Sequence, residues 1–408
     1  MIRPNIARRG GNGCFHGSRP FKDNRVTKKF AIFFPQFNRI EINDRAWGYG
    51  FTDWVLVASA NAFDYWERRS PAAGFYDLSD PGVFFARVGE AMNRGIEGFG
   101  IYHYWFEDGL ELGSVEQHIS NGFEIEDFQY FFIWANESWT KRWAGKETDI
   151  LKKISTSPRF NHINDHVNYL IPFMQSKYYA KVYDRPIFVV YRPECFTNVS
   201  QTVEMYRKSF SENGIEPLIG YFLKNYSDVK FSQIFDFCYL FEPRLFFNFF
   251  GIRKWKFLHL IYQRILKLTD YSKAEFFSEM AGRYFRITSK IYSFEKFLNY
   301  FCSGERKKLV KSLRCPVQNV LTCGWNNAPR YRERYTELKT PRQDQFLRML
   351  SASLRDSDCS DAFPLLCNAW NEWSEGAAIE PCHYHGDSLL ESYVSDGSMK
   401  AGTKDDVR

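Results

Sequence analysis

Glu372 and Glu375 are the two side chains whose type and spacing point most directly to chemistry, and they stand in the run Trp370-Asn371-Glu372-Trp373-Ser374-Glu375-Gly376. Cleaving a glycosidic bond needs one carboxyl group to protonate the departing oxygen and a second to act as nucleophile or base. Two carboxylates within several ångströms are therefore the chemical minimum. A spacing of three places both on one face if the chain turns helically, and on opposed faces if it stays extended. Trp373 between them offers an apolar wall, which raises the pKa of a neighbouring carboxyl towards the working range of an acid. Glu-x-x-Glu alone is common and mostly marks a solvated helix face. Two tryptophans, an asparagine and a position at the end of an apolar run favour the chemical reading here.

Other apolar runs end in the same company of rings with amides or carboxylates. Pro35-Gln36-Phe37 follows the first, Tyr102-His103-Tyr104-Trp105 closes the second, Ala135-Asn136-Glu137-Ser138-Trp139 follows the third and Trp325-Asn326-Asn327 follows the seventh. These give the candidate substrate-binding residues Gln36, Tyr102, His103, Tyr104, Trp105, Asn136, Glu137, Trp325 and Asn326, to which Asn371 and Trp373 are added. Asn136 and Glu137 read as a sugar-hydroxyl acceptor and an auxiliary carboxylate, with a helix cap or a rim salt bridge as the ordinary alternative. His103 reads as a substrate contact or as a hydrogen-bonded structural histidine. Trp325 reads as a stacking face for a pyranose ring or as loop packing.

The elements that must position these residues are eight short apolar runs, at 30–34, 98–102, 130–134, 186–191, 217–222, 235–240, 317–323 and 363–369. Their continuous apolarity indicates strands buried on both faces. Helical spacing fills gaps between them: Val83, Val88, Ala91 and Met92 within 81–95, and Ile163, Val167, Leu170, Ile171 and Met174 within 159–174, with further helices at 202–212 and 342–354. Strands alternating with helices predict an α/β fold, a single (β/α)8 TIM-type barrel whose functional groups gather at the C-terminal ends of the strands. The barrel occupies residues 29–393, between a flexible basic leader at 1–28 and a flexible tail at 394–408. Residues 243–314 form an aromatic-basic helical insertion between strands 6 and 7, with Trp255, Leu258, Ile261, Tyr262 and Ile265 at helical spacing. The insertion reads first as a helix packed on the barrel with its cationic face in water. Peripheral membrane contact through residues 245–267 is the second reading.

Composition narrows the function classes. The 408 residues are 44% hydrophobic and 25% charged, which excludes a disordered or fibrous chain. Aromatic residues reach 18%, more than packing needs and suited to a groove lined with rings. Net charge is +6, too mild for a dedicated nucleic-acid binder. No uncharged apolar stretch approaches the ~18 residues of a spanning helix, and residues 1–29 carry no apolar signal core, so a cytoplasmic protein is expected, at most peripheral at the inner membrane. Nine scattered cysteines without a C-x-x-C pair read as reduced thiols. Cys382-His383-Tyr384-His385 lacks a second ligand cluster, so no metal and no cofactor are expected. Dinucleotide and P-loop fingerprints and a G-x-S-x-G elbow are absent from the sequence, and the only D-x-D element, Asp356-Ser357-Asp358, lies in a polar loop.

Six motifs occur in series: Phe34-Pro35-Gln36-Phe37; Trp47-Gly48-x-Gly50-Phe51-Thr52-Asp53-Trp54; Gly74-Phe75-Tyr76-Asp77-Leu78; Tyr102-His103-Tyr104-Trp105-Phe106; Trp134-Ala135-Asn136-Glu137-Ser138-Trp139; and Asn368-Ala369-Trp370-Asn371-Glu372-Trp373-Ser374-Glu375-Gly376. Together they resemble the WbsX-type proteins of bacterial polysaccharide loci, a glycosyltransferase-like family similar to glycoside hydrolase family 99, the endo-α-1,2-mannosidases. The resemblance implies a (β/α)8 barrel without a metal and two functional glutamates. Carried over from the hydrolases, Glu372 would assist the sugar 2-hydroxyl as internal nucleophile through an anhydro-sugar, and Glu375 would be the acid/base, with net retention. The chain departs from the family pattern in having Tyr65-Trp66-Glu67-Arg68 for a His-Tyr-Gln-Pro-like element, Asp53 for a commoner Glu, and Asn326 where Asp is usual.

The resulting expectation is a carbohydrate-active enzyme that cleaves or transfers an α-linked glycosyl unit from an oligosaccharide or lipid-linked glycan in surface polysaccharide biosynthesis, such as lipopolysaccharide O-antigen. A sugar-nucleotide-dependent glycosyltransferase and a non-catalytic glycan-binding barrel are the alternatives.

Overall fold

Eight stretches of the chain close into a parallel barrel: β1 (Lys29–Phe33), β2 (Gly98–Phe106), β3 (Gln129–Trp134), β4 (Arg185–Val190), β5 (Leu218–Leu223), β6 (Phe237–Phe241), β7 (Val317–Thr322) and β8 (Leu365–Asn368). The computed structural model describes residues 27–60, 70–141, 146–254, 289–331, 335–356, 358–383 and 386–395. Each barrel strand pairs in parallel with its successor, and β8 returns to β1 with Lys29 opposite Leu365. One face of every strand meets the barrel interior and the other meets helices, so both must be apolar. Large rings fill the interior where a neighbour has none: a Cβ at Gly220 would lie 2.3 Å from the Phe237 ring, and one at Gly98 would lie 2.5 Å from that of Phe30.

The helices are α1 (Glu41–Trp47), α2 (Asp53–Ala60), α3 (Pro81–Asn93), α4 (Ser114–Gly122), α5 (Phe160–Gln175), α6 (Val199–Glu212), α7 (Arg244–Lys254), α8 (Phe294–Phe301), α9 (Gly304–Ser312), α10 (Ala328–Tyr331), α11 (Gln343–Leu354) and α12 (Ser388–Val394). Helix α3 starts where the Asp80 side chain accepts from the Gly82 N–H with Pro81 in the first turn, and it buries Phe84, Val88 and Ala91. Helix α5 buries the expected stripe of Ile163, Val167, Leu170 and Met174, together with His166 and Phe173.

The eight strands match the eight predicted runs, with one consequential difference. Strand β2 continues to Phe106, four residues past its predicted end. The insertion lies between β6 and β7 as expected. Its described part is packed rather than free: Leu245 and Phe246 of α7 are fully buried, and Phe246 contacts Tyr292, Phe297 and Tyr300 edge-on or tilted. A buried ion pair fastens it to the barrel, since Arg306 of α9 donates to Glu242 at 3.2 Å and to Asn319 of β7 at 2.7 Å. Residues 255–288, the 65–68 departure, the leader 1–26 and the tail from 396 lie outside the described residues. Among the described residues no helix is long and apolar enough to cross a membrane.

Candidate active site

At the C-terminal mouth of the barrel a cavity of about 390 Å³ is lined by residues following seven of the eight strands, Phe34 and Gln36 after β1 among them. Glu372 and Glu375 form part of its wall. After β8 the chain makes a short strand, Asn371–Glu372, and a single 3₁₀ turn, Trp373–Glu375, before pairing back through Ala377–Ala378. Side chains three apart eclipse in a 3₁₀ turn, so both glutamates point the same way. Gly376 ends the turn with φ +61°, where an added Cβ would sit 3.0 Å from the Asn326 backbone N and 3.2 Å from its O. Only glycine meets both the left-handed backbone and that approach.

Arg330 joins the pair. Its Nη1 lies 2.5 Å from Glu375 Oε1 and 3.9 Å from Glu372 Oε1, its Nη2 lies 3.6 Å from Asp53 Oδ1, and its Nε donates to Ser374 at 3.0 Å. The two Oε1 atoms are thus at most 6.4 Å apart, the sum of the 2.5 and 3.9 Å legs. Burial pushes Glu372 well above the usual carboxylate range, with the negative Glu375 adding to it and Arg330 opposing. Burial also raises Glu375, against a stronger opposition from Arg330, and it raises Asp53. Burial thus raises all three acids around one guanidinium, and Arg330, closest to Glu375, opposes the rise there.

A second layer fixes the turn from behind. The Trp373 indole N–H donates to Glu380 at 2.8 Å, the Tyr76 hydroxyl donates to the same carboxylate at 3.0 Å, and Arg87 reaches its other oxygen at 3.3 Å. Burial nevertheless raises Glu380 to about 7.

The structure brings Gln36, Tyr102, Tyr104, Glu137, Glu372 and Glu375 to the cavity wall. The other candidates face elsewhere. His103 and Trp105 alternate with the two tyrosines on β2, and because β2 stays extended they point outward into the helix layer. His103 is fully buried, 2.9 Å from Glu116 and 2.8 Å from His166, and Trp105 stacks on His166 with centroids 4.9 Å apart. Asn136 spends its amide on the Arg192 backbone, accepting at 2.7 Å and donating at 2.8 Å. Asn371 does the same to Phe34, at 2.7 and 3.0 Å. Asn326 accepts from the Ala328 N–H at 2.9 Å and so starts α10, the turn that delivers Arg330. Trp325 is 4% exposed and covered by Arg244, whose Cζ lies 5.3 Å from its ring centre. Trp373 is buried on Glu380.

The cations were not read from the sequence, yet four line the cavity: Arg192, Lys224, Arg244 and Arg330. Arg192, Lys224 and Arg244 are each within three residues of a strand end, which is the signal available for finding them, whereas Arg330 stands eight residues beyond β7. Arg192 pairs with Glu137 at 3.0 Å and with Glu194 at 3.2 Å, and the buried Lys224 also pairs with Glu194 at 3.2 Å.

A family model described as Glycosyltransferase WbsX matches residues 29–393. Two curated relatives, both called uncharacterized protein WxcX, come from Xanthomonas campestris pv. campestris strains B100 and ATCC 33913, and are 27% identical over 361 residues and 26% identical over 370. Each match covers 86% of this chain and 47% of the relative, so the chain spans about half the length of the curated relatives it matches. Among solved structures, the GH99 endo-alpha-mannosidase from Bacteroides thetaiotaomicron aligns over 90% of this chain and 96% of that one, with TM-score 0.50 and 9% identity. A glycoside hydrolase-like protein aligns over 93% and 96%, with TM-score 0.51 and 13% identity. At such identities these structures support the barrel fold alone.

Proposed function

The chain belongs to the WbsX glycosyltransferase family, a carbohydrate-active family, and from that premise we propose that it cleaves or transfers an α-linked glycosyl unit in surface polysaccharide biosynthesis, with Glu372 and Glu375 as the reacting pair. The observation that carries this reading is the convergence of the two carboxyls on Arg330 inside a ring-lined cavity. Both reactions need one protonated and one ionised carboxyl, and burial opposed most closely at Glu375 by the Arg330 guanidinium favours such a division. The family resemblance implies a route that retains configuration, through an intermediate that either water or a sugar hydroxyl can open. Hydrolysis and transfer then differ only in which acceptor reaches the intermediate.

Carried over from the family resemblance, Glu372 assists the 2-hydroxyl and Glu375 is the acid/base. A reading with these roles exchanged is favoured by one observation: Arg330 lies against Glu375 and opposes the rise in its pKa, whereas burial pushes Glu372 well above the usual range. The experiment is mass spectrometry of the purified protein with α-mannan-type oligosaccharides, alone and with a panel of sugar nucleotides, beside Glu372→Gln and Glu375→Gln. Shortened or rearranged oligosaccharides without a donor, lost in both variants, are expected. Extension only with a sugar nucleotide, unaffected by either substitution, refutes the glutamate pair. A glycosyl fluoride, whose leaving group needs little protonation, identifies the acid as the glutamate whose glutamine variant it rescues.

A further inference from the structure

Among the described residues, three of the four cations in the cavity are held by carboxylates and the fourth is not. Arg330 holds Glu375, Arg192 holds Glu137 and Glu194, and Lys224 holds Glu194. Arg244 is the first residue of α7, immediately beyond β6, and it is partly buried in the cavity wall. Among the described residues no carboxylate stands within ion-pair distance of it, and its recorded neighbour is the face of Trp325. The Trp325 ring braces the guanidinium on one side and leaves its N–H fork for something in the cavity. A neutral sugar is ordinarily held by amides, hydroxyls and paired side chains, which this cavity has in Gln36, Asn248, Tyr104 and the Arg192–Glu137 pair. An unpaired guanidinium in a partly desolvated cavity is costly unless the ligand brings the counter-charge.

Resting on the proposed glycosyl chemistry, and deepening it, we infer that Arg244 is an anion subsite, and that the glycan or its activated donor carries a carboxylate or phosphate close to the bond being cleaved. The proximity follows from the shared wall of the site, since Arg244, Glu372 and Glu375 line the same cavity of about 390 Å³. Lys224 stands in the same cavity, with its Nζ 4.1 Å from the Tyr191 ring centre, but its charge is spent on Glu194 at 3.2 Å, which leaves Arg244 as the cation for the anion. Guanidinium takes carboxylate and phosphate through two parallel N–H···O bonds, and this is the geometry an unpaired fork offers.

The test is titration calorimetry of the full chain with three probes: oligosaccharides ending in glucuronic acid, the same oligosaccharides after carboxyl reduction to glucose, and UDP-glucose. One charge-assisted pair makes the charged member of the matched glycan pair bind about tenfold or more tightly. Arg244→Gln brings that ratio close to unity, and Arg244→Lys restores part of it. If Arg244→Gln does not fold, the wild-type ratio and its loss in high salt carry the test. A preference for glucuronic acid that depends on Arg244 supports a carboxylate source, and one confined to UDP-glucose supports a phosphate source. Equal binding of the charged and reduced glycans, with UDP-glucose unbound, overturns the anion subsite and leaves the glycosyl reading standing. Binding of none of the three overturns both.

Discussion

Replacing Arg330 by glutamine removes the one cation shared by three buried acids, and the consequence can be worked from its distances. Arg330 lies 2.5 Å from Glu375, 3.6 Å from Asp53 and 3.9 Å from Glu372. Two unit charges about 4 Å apart, at an effective dielectric constant of about 20, interact by about 4 kcal/mol, equivalent to about three pKa units. Sharing among three acids and entry of water reduce this, so a rise of about 1–3 units in the pKa of Glu375 is expected. Glu375 already stands above the usual range because of burial, and Arg330 is its largest opposing influence. The acid limb of the pH–rate profile, where the first carboxyl of the pair ionises, therefore moves upward in Arg330→Gln by the same 1–3 units. At a fixed pH on that limb the rate falls about tenfold per unit. The measurement is kcat/KM on the oligosaccharide identified by mass spectrometry, from pH 4 to 9, with thermal melting at each pH to confirm folding. A folded Arg330→Gln variant whose acid limb coincides with that of the wild type refutes this electrostatic account of the pair.

Two further outcomes follow from groups outside the cavity. Glu380 is raised from 4.5 to about 7, so between those values the folded chain holds a proton that the unfolded chain has lost. Its contribution to stability is therefore greatest below pH 4.5 and falls by about 3 kcal/mol as pH rises through 7. The difference in melting temperature between the wild type and Glu380→Gln, followed over that window, isolates this share, and a difference that is flat with pH contradicts it. His103→Ala removes buried partners from both Glu116 and His166, so it costs about 3 kcal/mol by chemical denaturation. Its melting temperature falls while KM for the glycan stays unchanged. The neighbouring Tyr104→Phe moves KM instead, and a reversal of that pattern refutes the outward orientation of His103.

The barrel was legible because of what a parallel barrel requires of its strands. Buried on both faces, they appear as unbroken apolar runs, and all eight are found where such runs occur. The side of the sheet to which a residue belongs was harder to read. The run 98–102 ends in sequence where polar and aromatic residues begin, whereas β2 continues to Phe106. Residues read as the end of the strand are thus part of its extended course, and alternation sends Tyr102 and Tyr104 inward and His103 and Trp105 outward. Arg330 was illegible for a different reason. It stands 42 positions before Glu372, and only the pairing of β7 with β8 brings the two together. No local spacing carries that information. The ends of strands were searched for rings, amides and carboxylates, and the same search for cations would have found Arg192, Lys224 and Arg244 within three residues of β4, β5 and β6.

The dipeptide Asn-Glu occurs at two strand ends, and in both places the asparagine does the same work. Asn136 exchanges two hydrogen bonds with the backbone of Arg192 just beyond β4, and Asn371 exchanges two with the backbone of Phe34 just beyond β1. A side-chain amide has the donor and acceptor of a peptide group, so it extends the sheet ladder by one step where the neighbouring strand has ended. Each asparagine thereby fixes the direction in which the chain leaves the barrel, and the next residue, Glu137 or Glu372, is turned into the cavity. Adjacency in sequence suggested that amide and carboxylate act together on a sugar. The geometry divides the labour: the amide holds the rim, and the carboxylate that follows it faces the cavity.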